Sequence, residues 1–206
     1  MRLRSLLFVP GDSEKKFAKA SEVGADALIL DLEDAVAPTR KPEARRMVAD
    51  WIDNTARRDW SFFVRVNALD TGLTLADLAA VVRPGLDGIL VPKSNGGQDI
   101  EQIGHYLEAL EEKAGMATGT VKIAVVCTET PVAMFNLGSY TPAHPRLVAH
   151  APVGRLRRLG RQRRQAAAGH PARGSGRLRV RQQLQRAWPP ARRRVGQQAT
   201  SFRPER

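Results

Sequence analysis

The sequence predicts an α/β protein with a parallel sheet, of the (β/α)8 TIM barrel class, in which only the first five or so βα units are present. Short runs rich in Val, Ile and Leu alternate with segments of helical periodicity, which is the pattern of parallel strands covered by helices. Polar side chains follow each of the five runs, and a barrel carries its chemistry at these carboxyl ends. A doubly wound sheet would usually show a Gly-rich phosphate loop, and the sequence contains no GxGxxG or P-loop motif.

The first βα unit shows the signals by which the other units are also assigned. The apolar run at 5–9 ends at Pro10 and Gly11, which favour a turn, and Ser13 can cap a helix near 14–23. By the same reasoning the other strands are predicted at 26–32, 62–66, 88–92 and 122–127.

The later helices are predicted from proline position and apolar spacing. Pro42 suits a helix first turn, and the apolar residues after it recur at helical spacing: Ala44, Met47, Val48, Trp51 and Ile52. A second apolar face is formed by Ile100, Ile103, Leu107 and Leu110. Shorter helices are predicted near 74–82 and after Pro131.

The positive charge of the chain is confined to its last part. The formal net charge is +12. Residues 1–146 hold 17 Lys and Arg against 20 Asp and Glu, whereas residues 147–206 hold 16 basic residues and a single acid, Glu205. A uniformly basic chain would suggest nucleic-acid binding, but this distribution makes that role unexpected for the first part. The two parts are therefore predicted to be separate: a partial barrel over 1–146 and an Arg-rich tail over 147–206.

Cysteine content and hydropathy indicate a cytoplasmic protein. Cys127 is the single cysteine, so the chain has no internal disulfide, which fits a reducing compartment. The apolar run after the basic start of the chain is too short for a secretory signal. No segment approaches the roughly 18 apolar residues of a membrane span.

Three acids follow the second strand directly. Alternation along a strand places Ile29, Asp31 and Glu33 on one face, and the intervening leucines on the other face against the helices. Asp34 comes next. Crowded carboxylates raise one another's pKa unless cations lie between them. These acids could instead cap a helix or form structural ion pairs, and the residues alone leave both interpretations open.

The next strand ends supply candidate partners for these acids. Arg65 ends the third strand and Lys93 follows the fourth, and each could also be an ordinary ion-pair partner. Glu129 follows the fifth strand. A divalent cation is another candidate partner, because Mg²⁺ prefers carboxylate oxygens and keeps waters or substrate oxygens in its remaining positions.

Five motifs of the chain occur in an order that resembles the HpcH/HpaI aldolase and citrate lyase beta-subunit family. They are RSLLFVPGDSEKKFAKA, GADALILDLEDAV, VRVN, GILVPK and ETP. The resemblance covers about residues 2–149 and is closest to the branch that includes citryl-CoA, malyl-CoA and citramalyl-CoA lyases.

The resemblance implies a barrel of the phosphoenolpyruvate/pyruvate type, Mg²⁺-dependent chemistry at a carbon–carbon bond of an acyl-CoA, and a homo-oligomer, a trimer or a multiple of it. Arg65 would bind a carboxylate or carbonyl oxygen of the substrate, and Glu129 would hold Mg²⁺ and contact the substrate. Arg4 would contact a phosphate of coenzyme A. The resemblance also implies four orienting side chains, which would position water, Arg65 or the other metal ligands. They are Asp31, Glu33, Asp34 and Lys93.

The chain departs from the family after the fifth strand. There the family carries a Trp-Gly-x-x-Asp-like segment with the second Mg²⁺ carboxylate, followed by two more strands. Residues 147–206 contain no apolar run longer than three residues and no sustained period, so they are predicted to be disordered or loosely helical. An out-of-frame tail is the favoured explanation. A basic nucleic-acid arm and a truncated, repurposed family member are the alternatives.

The functional prediction is a Mg²⁺-dependent carbon–carbon lyase acting on a 3-hydroxyacyl-CoA such as citryl-CoA or malyl-CoA. We expect its activity to be impaired, because the second aspartate ligand of the family is absent. The alternatives are a malyl-CoA-type thioester hydrolase and a non-catalytic binding protein with a basic tail.

Overall fold

The structure is a computed structural model that describes residues 3–55, 58–141 and 144–151. These residues form six strands: β1 (Leu6–Pro10), β2 (Ala27–Asp31), β3 (Ser61–Arg65), β4 (Gly88–Val91), β5 (Lys122–Val126) and β6 (Leu147–Ala151). They also form five α-helices: α1 (Glu14–Ser21), α2 (Lys41–Asn54), α3 (Thr74–Val81), α4 (Gly97–Lys113) and α5 (Pro131–Phe135). Short 3-10 turns occupy Pro38–Arg40, Leu69–Thr71 and Leu137–Tyr140.

The strands lie side by side in chain order, from β1 to β6, and every neighbouring pair is parallel. A doubly wound sheet would reverse its strand order at a switch point, and no reversal occurs along this sheet. The predicted barrel-type order is therefore confirmed. Because all six strands point the same way, the polar groups that follow them gather at one edge.

The two faces of the sheet carry separate apolar clusters, as alternation along the strands predicted. Leu28, Leu30 and Leu32 belong to the large cluster on the helix side. Ile29 and Phe63 belong to the smaller cluster on the opposite face. Asp31, the last residue of β2, and Glu33, just beyond it, continue that opposite face.

The helices pack on the sheet through the predicted faces. In α2, with Pro42 in its first turn, Ala44, Val48 and Ile52 are buried. In α4 the buried apolar face is formed by Ile100, Ile103 and Leu107.

β6 corrects the predicted start of the tail at residue 147. Residues 147–151 pair with β5 as a sixth parallel strand, with a register shift that leaves Val148 outside the pairing and 42% exposed. Three consecutive apolar residues are a weak local strand signal, so pairing with an existing strand decides the conformation. Arg146 anchors the approach to β6: it is 2% exposed and forms a two-pronged ion pair with Glu111.

The rest of the predicted tail, residues 152–206, lies outside the described residues, and so does the prediction that it is disordered. Among the helices that the structure describes, none is both long and apolar enough to cross a membrane.

Candidate active site

The carboxyl ends of β2 and β3 bring an acid and an arginine side by side. Asp31 and Arg65 are the last residues of these strands, and the register of the sheet pairs them directly. The guanidinium binds the carboxylate through two prongs, with Nε 2.8 Å from Oδ1 and Nη2 2.5 Å from Oδ2. The two side chains are only 13% and 2% exposed, so this is a buried ion pair.

The remaining contacts of this pair hold it in one orientation. Asp31 also accepts hydrogen bonds from the backbone N–H groups of Glu33, at 2.9 Å, and Ala35, at 3.2 Å. The Arg65 guanidinium carbon lies 5.0 Å from the ring centre of Phe8, a cation–π contact from β1. After its two bonds to Asp31, the guanidinium keeps its Nη1 hydrogens and one Nη2 hydrogen for other acceptors.

Glu33 lies between two cations and is 5% exposed. Its Oε2 is 3.0 Å from Nη1 of Arg65, and its Oε1 is 2.7 Å from Nζ of Lys93. Both contacts are close in distance, yet neither Glu33 oxygen accepts a well-aligned hydrogen bond from the described residues. Burial raises the pKa of Glu33, and the nearby Lys93 and Arg65 oppose that rise.

Lys93 links the acids after β2 to the acid after β5. Its ammonium contacts Glu33 and lies 3.6 Å from Asp34, and its backbone N–H donates to Oε2 of Glu129 at 2.7 Å. The contact with Glu33 raises the pKa of Lys93, so the side chain is held in its charged form. A continuous series of contacts therefore runs from Asp31 to Glu129 along the carboxyl edge of the sheet.

Two predicted site residues stand apart from this series. Asp34 is 65% exposed, and the ion-pair contact that joins its side chain to the described series is with Lys93, at 3.6 Å. Arg4 precedes β1, at the opposite, amino edge of the sheet, where its guanidinium and backbone N–H bind Asp26. The structure therefore does not place Arg4 with the other candidate residues, and its expected contact with coenzyme A gains no support from this geometry.

A buried polar group beneath the edge was not recognised as part of the site from sequence. Lys41 donates through Nζ to the carbonyls of Leu32 and Glu33 and to Oδ1 of Asn67. Asn67 in turn donates through Nδ2 and its backbone N–H to Asp77. These bonds fix the turn that carries the acids. The asparagine of VRVN was visible in sequence, but no local signal aims the Lys41 ammonium at β2.

The side chains at this edge can supply only part of the coordination of a Mg²⁺ ion, and the other positions would be filled by water or substrate oxygens. Glu129 and Glu33 present carboxylate oxygens, and the Glu33 oxygens are buried without a well-aligned donor. Across the described parts of the chain, no group of three or more His, Cys, Asp or Glu side chains is arranged to hold a metal. Because Mg²⁺ is commonly bound by one or two carboxylates together with waters or substrate oxygens, the residues present suit that kind of binding.

The fold and this edge define the class: a parallel α/β barrel protein whose polar residues meet at the carboxyl ends of its strands. The chain belongs to the HpcH/HpaI aldolase/citrate lyase family, whose model matches residues 4–149.

The curated relatives carry two different names. Citrate lyase subunit beta of Escherichia coli is 36% identical over 148 residues, which are 72% of this chain and 49% of the relative. The (3S)-malyl-CoA thioesterase of Cereibacter sphaeroides is 36% identical over 144 residues, 70% of this chain and 46% of the relative. The chain thus spans about half the length of the curated relatives it matches.

Solved structures show the same fold. Malate synthase of Haloferax volcanii superposes with a TM-score of 0.64 at 18% identity, covering 72% of this chain and 50% of that one. Protein CitE of Mycobacterium tuberculosis, in complex with magnesium and acetoacetate, gives a TM-score of 0.51 at 27% identity, with 73% and 55% covered.

Proposed function

We propose that this chain is a Mg²⁺-dependent carbon–carbon lyase of the citrate lyase beta-subunit type, acting on a 3-hydroxyacyl-CoA such as citryl-CoA or malyl-CoA, with impaired turnover. The observation that carries the proposal is the unbroken series of contacts from Asp31 through Arg65, Glu33 and Lys93 to Glu129. The names of the relatives support the reaction class, and the magnesium in the CitE complex supports the metal.

Arg65 is the proposed binding group for the oxo-acid part of the substrate. Its bonds to Asp31 and its contact with Phe8 fix the guanidinium before the substrate arrives. The N–H groups not directed at Asp31 can donate to a carboxylate or carbonyl oxygen, and a guanidinium suits this because it stays charged. Since the arginine is already oriented, little ordering is needed on binding.

Glu129 is the proposed metal ligand, and Glu33 is a second carboxylate that is linked to Glu129 by the contacts of Lys93. Bound Mg²⁺ would act as a Lewis acid on the substrate's carbonyl oxygen. Lys93 holds the Glu129 carboxylate through its backbone N–H, and Asp31 holds the arginine. Arg65 and Glu129 are therefore the proposed binding residues, and Asp31 and Lys93 orient them.

Impaired turnover is proposed because the second carboxylate ligand of the family is not found where the sixth strand now lies. β6 reads LVAHA and contains no acid. With a smaller share of its coordination supplied by the protein, the metal would bind more weakly.

A thioester hydrolase is the second candidate, because relatives named (3S)-malyl-CoA thioesterase are as similar to this chain as the citrate lyase subunits. The same arginine and carboxylates would bind the same acyl group. The two activities differ in the bond that breaks: a lyase releases an oxo acid and a shorter acyl-CoA, whereas a hydrolase consumes water and releases free coenzyme A.

Product analysis with citryl-CoA and malyl-CoA in the presence of MgCl₂ tests the proposal. We expect slow release of an oxo acid and acetyl-CoA by the 206-residue chain, and Glu129→Gln to lower that rate by at least about 10-fold, because even the groups that only orient metal ligands contribute about 10-fold to 100-fold. Free thiol without oxo acid would instead establish the hydrolase. No product from either substrate, or an equal rate for Glu129→Gln, would contradict the proposed lyase.

A further inference from the structure

Lys93 has an unusual backbone for a residue with a side chain. Its φ is 48°, in the left-handed region, and it is the one non-glycine residue with positive φ in the described ranges. This conformation is energetically unfavourable for lysine, because its Cβ crowds the backbone there. A strained conformation of this kind persists where surrounding contacts impose it, and such sites are often functional.

The left-handed conformation of Lys93 is imposed by its contacts with Glu129 and Glu33, the two candidate metal ligands. The left-handed turn directs the Lys93 N–H at Oε2 of Glu129, 2.7 Å away. The side chain leaves in another direction and brings Nζ to 2.7 Å from Oε1 of Glu33. One residue therefore holds a carboxylate after β5 with its backbone and a carboxylate after β2 with its ammonium.

The Lys93 ammonium lies beside Glu33, in a position that a metal cation would otherwise take. The buried Glu33 carboxylate has no well-aligned hydrogen-bond donor among the described residues, and its compensation is the charge of Lys93 and Arg65. Arg65 is buried and bound to Asp31, whereas the Lys93 side chain is 44% exposed. Of the two cations, Lys93 is the one that can be removed without breaking the buried ion pair between Arg65 and Asp31, and its removal leaves Glu33 with less compensating charge.

We propose that Lys93 is a positioning residue that limits divalent-cation binding to Glu129, by holding Glu33 in an internal ion pair. The inference rests on the proposed function for the role of Glu129. Its distinctive consequence is a gain: without the ammonium, Glu33 becomes available to the metal, and local negative charge increases. A residue that served only to stabilise the fold would not produce tighter cation binding when replaced.

Lys93→Met is the decisive variant. Methionine keeps the β-carbon and an unbranched side chain that is one atom shorter and uncharged, so the backbone strain and the N–H contact with Glu129 are retained. We expect Mg²⁺ alone, titrated calorimetrically into the full-length chain, to bind Lys93→Met about five-fold or more tightly than the unmodified chain. Lys93→Arg keeps the charge and should restore the original affinity.

A second substitution, Glu33→Gln, tests whether the gain in Mg²⁺ affinity depends on the Glu33 carboxylate. In the double variant Lys93→Met, Glu33→Gln, the affinity should return to near that of the unmodified chain. Lys113→Met, at an exposed end of α4, removes the same charge elsewhere and should change nothing. Urea unfolding of each variant checks that it is folded, and Lys93→Gln replaces the methionine variant if that one does not fold.

The outcomes separate this inference from the proposed function. Affinity of Lys93→Met equal to or weaker than that of the unmodified chain overturns the role of Lys93, and so does a gain that survives Glu33→Gln. Binding to the unmodified chain that is unchanged by Glu129→Gln contradicts the proposed metal ligand instead, and the comparison between Lys93→Met and its double variant still decides the role of Lys93.

Discussion

Asp31 and Arg65 show how a single ion pair can serve both the fold and the site. Burying two charges costs free energy, which is offset only when geometry is good and the other lone pairs are satisfied. Here the carboxylate accepts two bonds from the guanidinium and two from backbone N–H groups. The same bonds leave Arg65 aimed at the edge of the sheet, so the structural and functional interpretations of this residue are compatible.

Replacing Asp31 with asparagine should strongly destabilise the protein. The substitution leaves Arg65 buried beside a neutral group, and breaking a buried pair in this way costs about 3–5 kcal/mol. The free energy of unfolding in urea measures the change. Asp34→Asn is the matched control, because Asp34 is 65% exposed, and its effect should stay within about 0.5 kcal/mol. Equal effects of the two substitutions would contradict the importance of the buried pair.

At the scale of single residues, the sequence supplied most of the site. The residues predicted at the carboxyl ends of the strands include Asp31, Glu33, Arg65, Lys93 and Glu129, and the structure brings these five together. Their chain positions were enough, because parallel strands deliver their ends to one edge.

The partners of these residues could not be obtained in the same way. The sequence did not show that Asp31, rather than Glu33, would accept both hydrogen bonds from the Arg65 guanidinium. It also did not predict the Lys41 ammonium under β2, because that contact depends on how α2 packs on the sheet.

Among the elements, β6 depends on contacts far away in the chain. Arg146, just before the strand, is fixed by Glu111 at the end of α4, and its own carbonyl accepts the first sheet bond from Ile123. Burial of Glu111 would raise the pKa of that carboxyl, but the hydrogen bonds from Arg146, Val121 and Gly119 outweigh it and lower the pKa. The weak local sequence of β6 is therefore stabilised by tertiary contacts.

Gly88, the first residue of β4, has no room for a side chain. A Cβ there would lie 2.4 Å from Cε1 of Phe63 and 2.8 Å from the carbonyl oxygen of Lys122. Gly88→Ala should therefore destabilise the protein by about 1–3 kcal/mol through overpacking. Chemical denaturation tests this, with Gly138→Ala as the control, since a Cβ at Gly138 meets nothing within 4 Å. A Gly88→Ala protein as stable as the control would contradict the close packing of β4.

For the whole molecule, the prediction concerns stability in acid. The hydrogen bond from Arg4 lowers the pKa of Asp26 from 3.8 to about 2. Because the folded state lowers this pKa, Asp26 contributes stability that is complete above about pH 4 and is lost as the pH falls toward 2. The lowered pKa of Glu111 acts in the same direction, and the raised pKa of Glu33 acts in the opposite direction.

Urea unfolding at a series of pH values measures this dependence. The free energy of unfolding should fall between about pH 4 and pH 2, and Asp26→Asn should make that fall shallower because it removes one of the groups responsible. If Asp26→Asn left the slope unchanged, the ion pair with Arg4 would not be present in solution.

The sequence by itself determined the class of fold, the order of its strands and the residues at their carboxyl ends. Periodicity, turn residues and chain order are local properties, and for parallel strands they are sufficient to place the ends of the strands together. The resemblance to the family could likewise be seen from five motifs.

Only the tertiary structure decided which charges pair, that Arg4 lies at the far edge with Asp26, that 147–151 forms β6, and that Lys93 adopts a left-handed backbone between two carboxylates. These features depend on distances between groups far apart in the chain. Such distances are fixed by sheet register and helix packing, and a local pattern of residue types does not encode them.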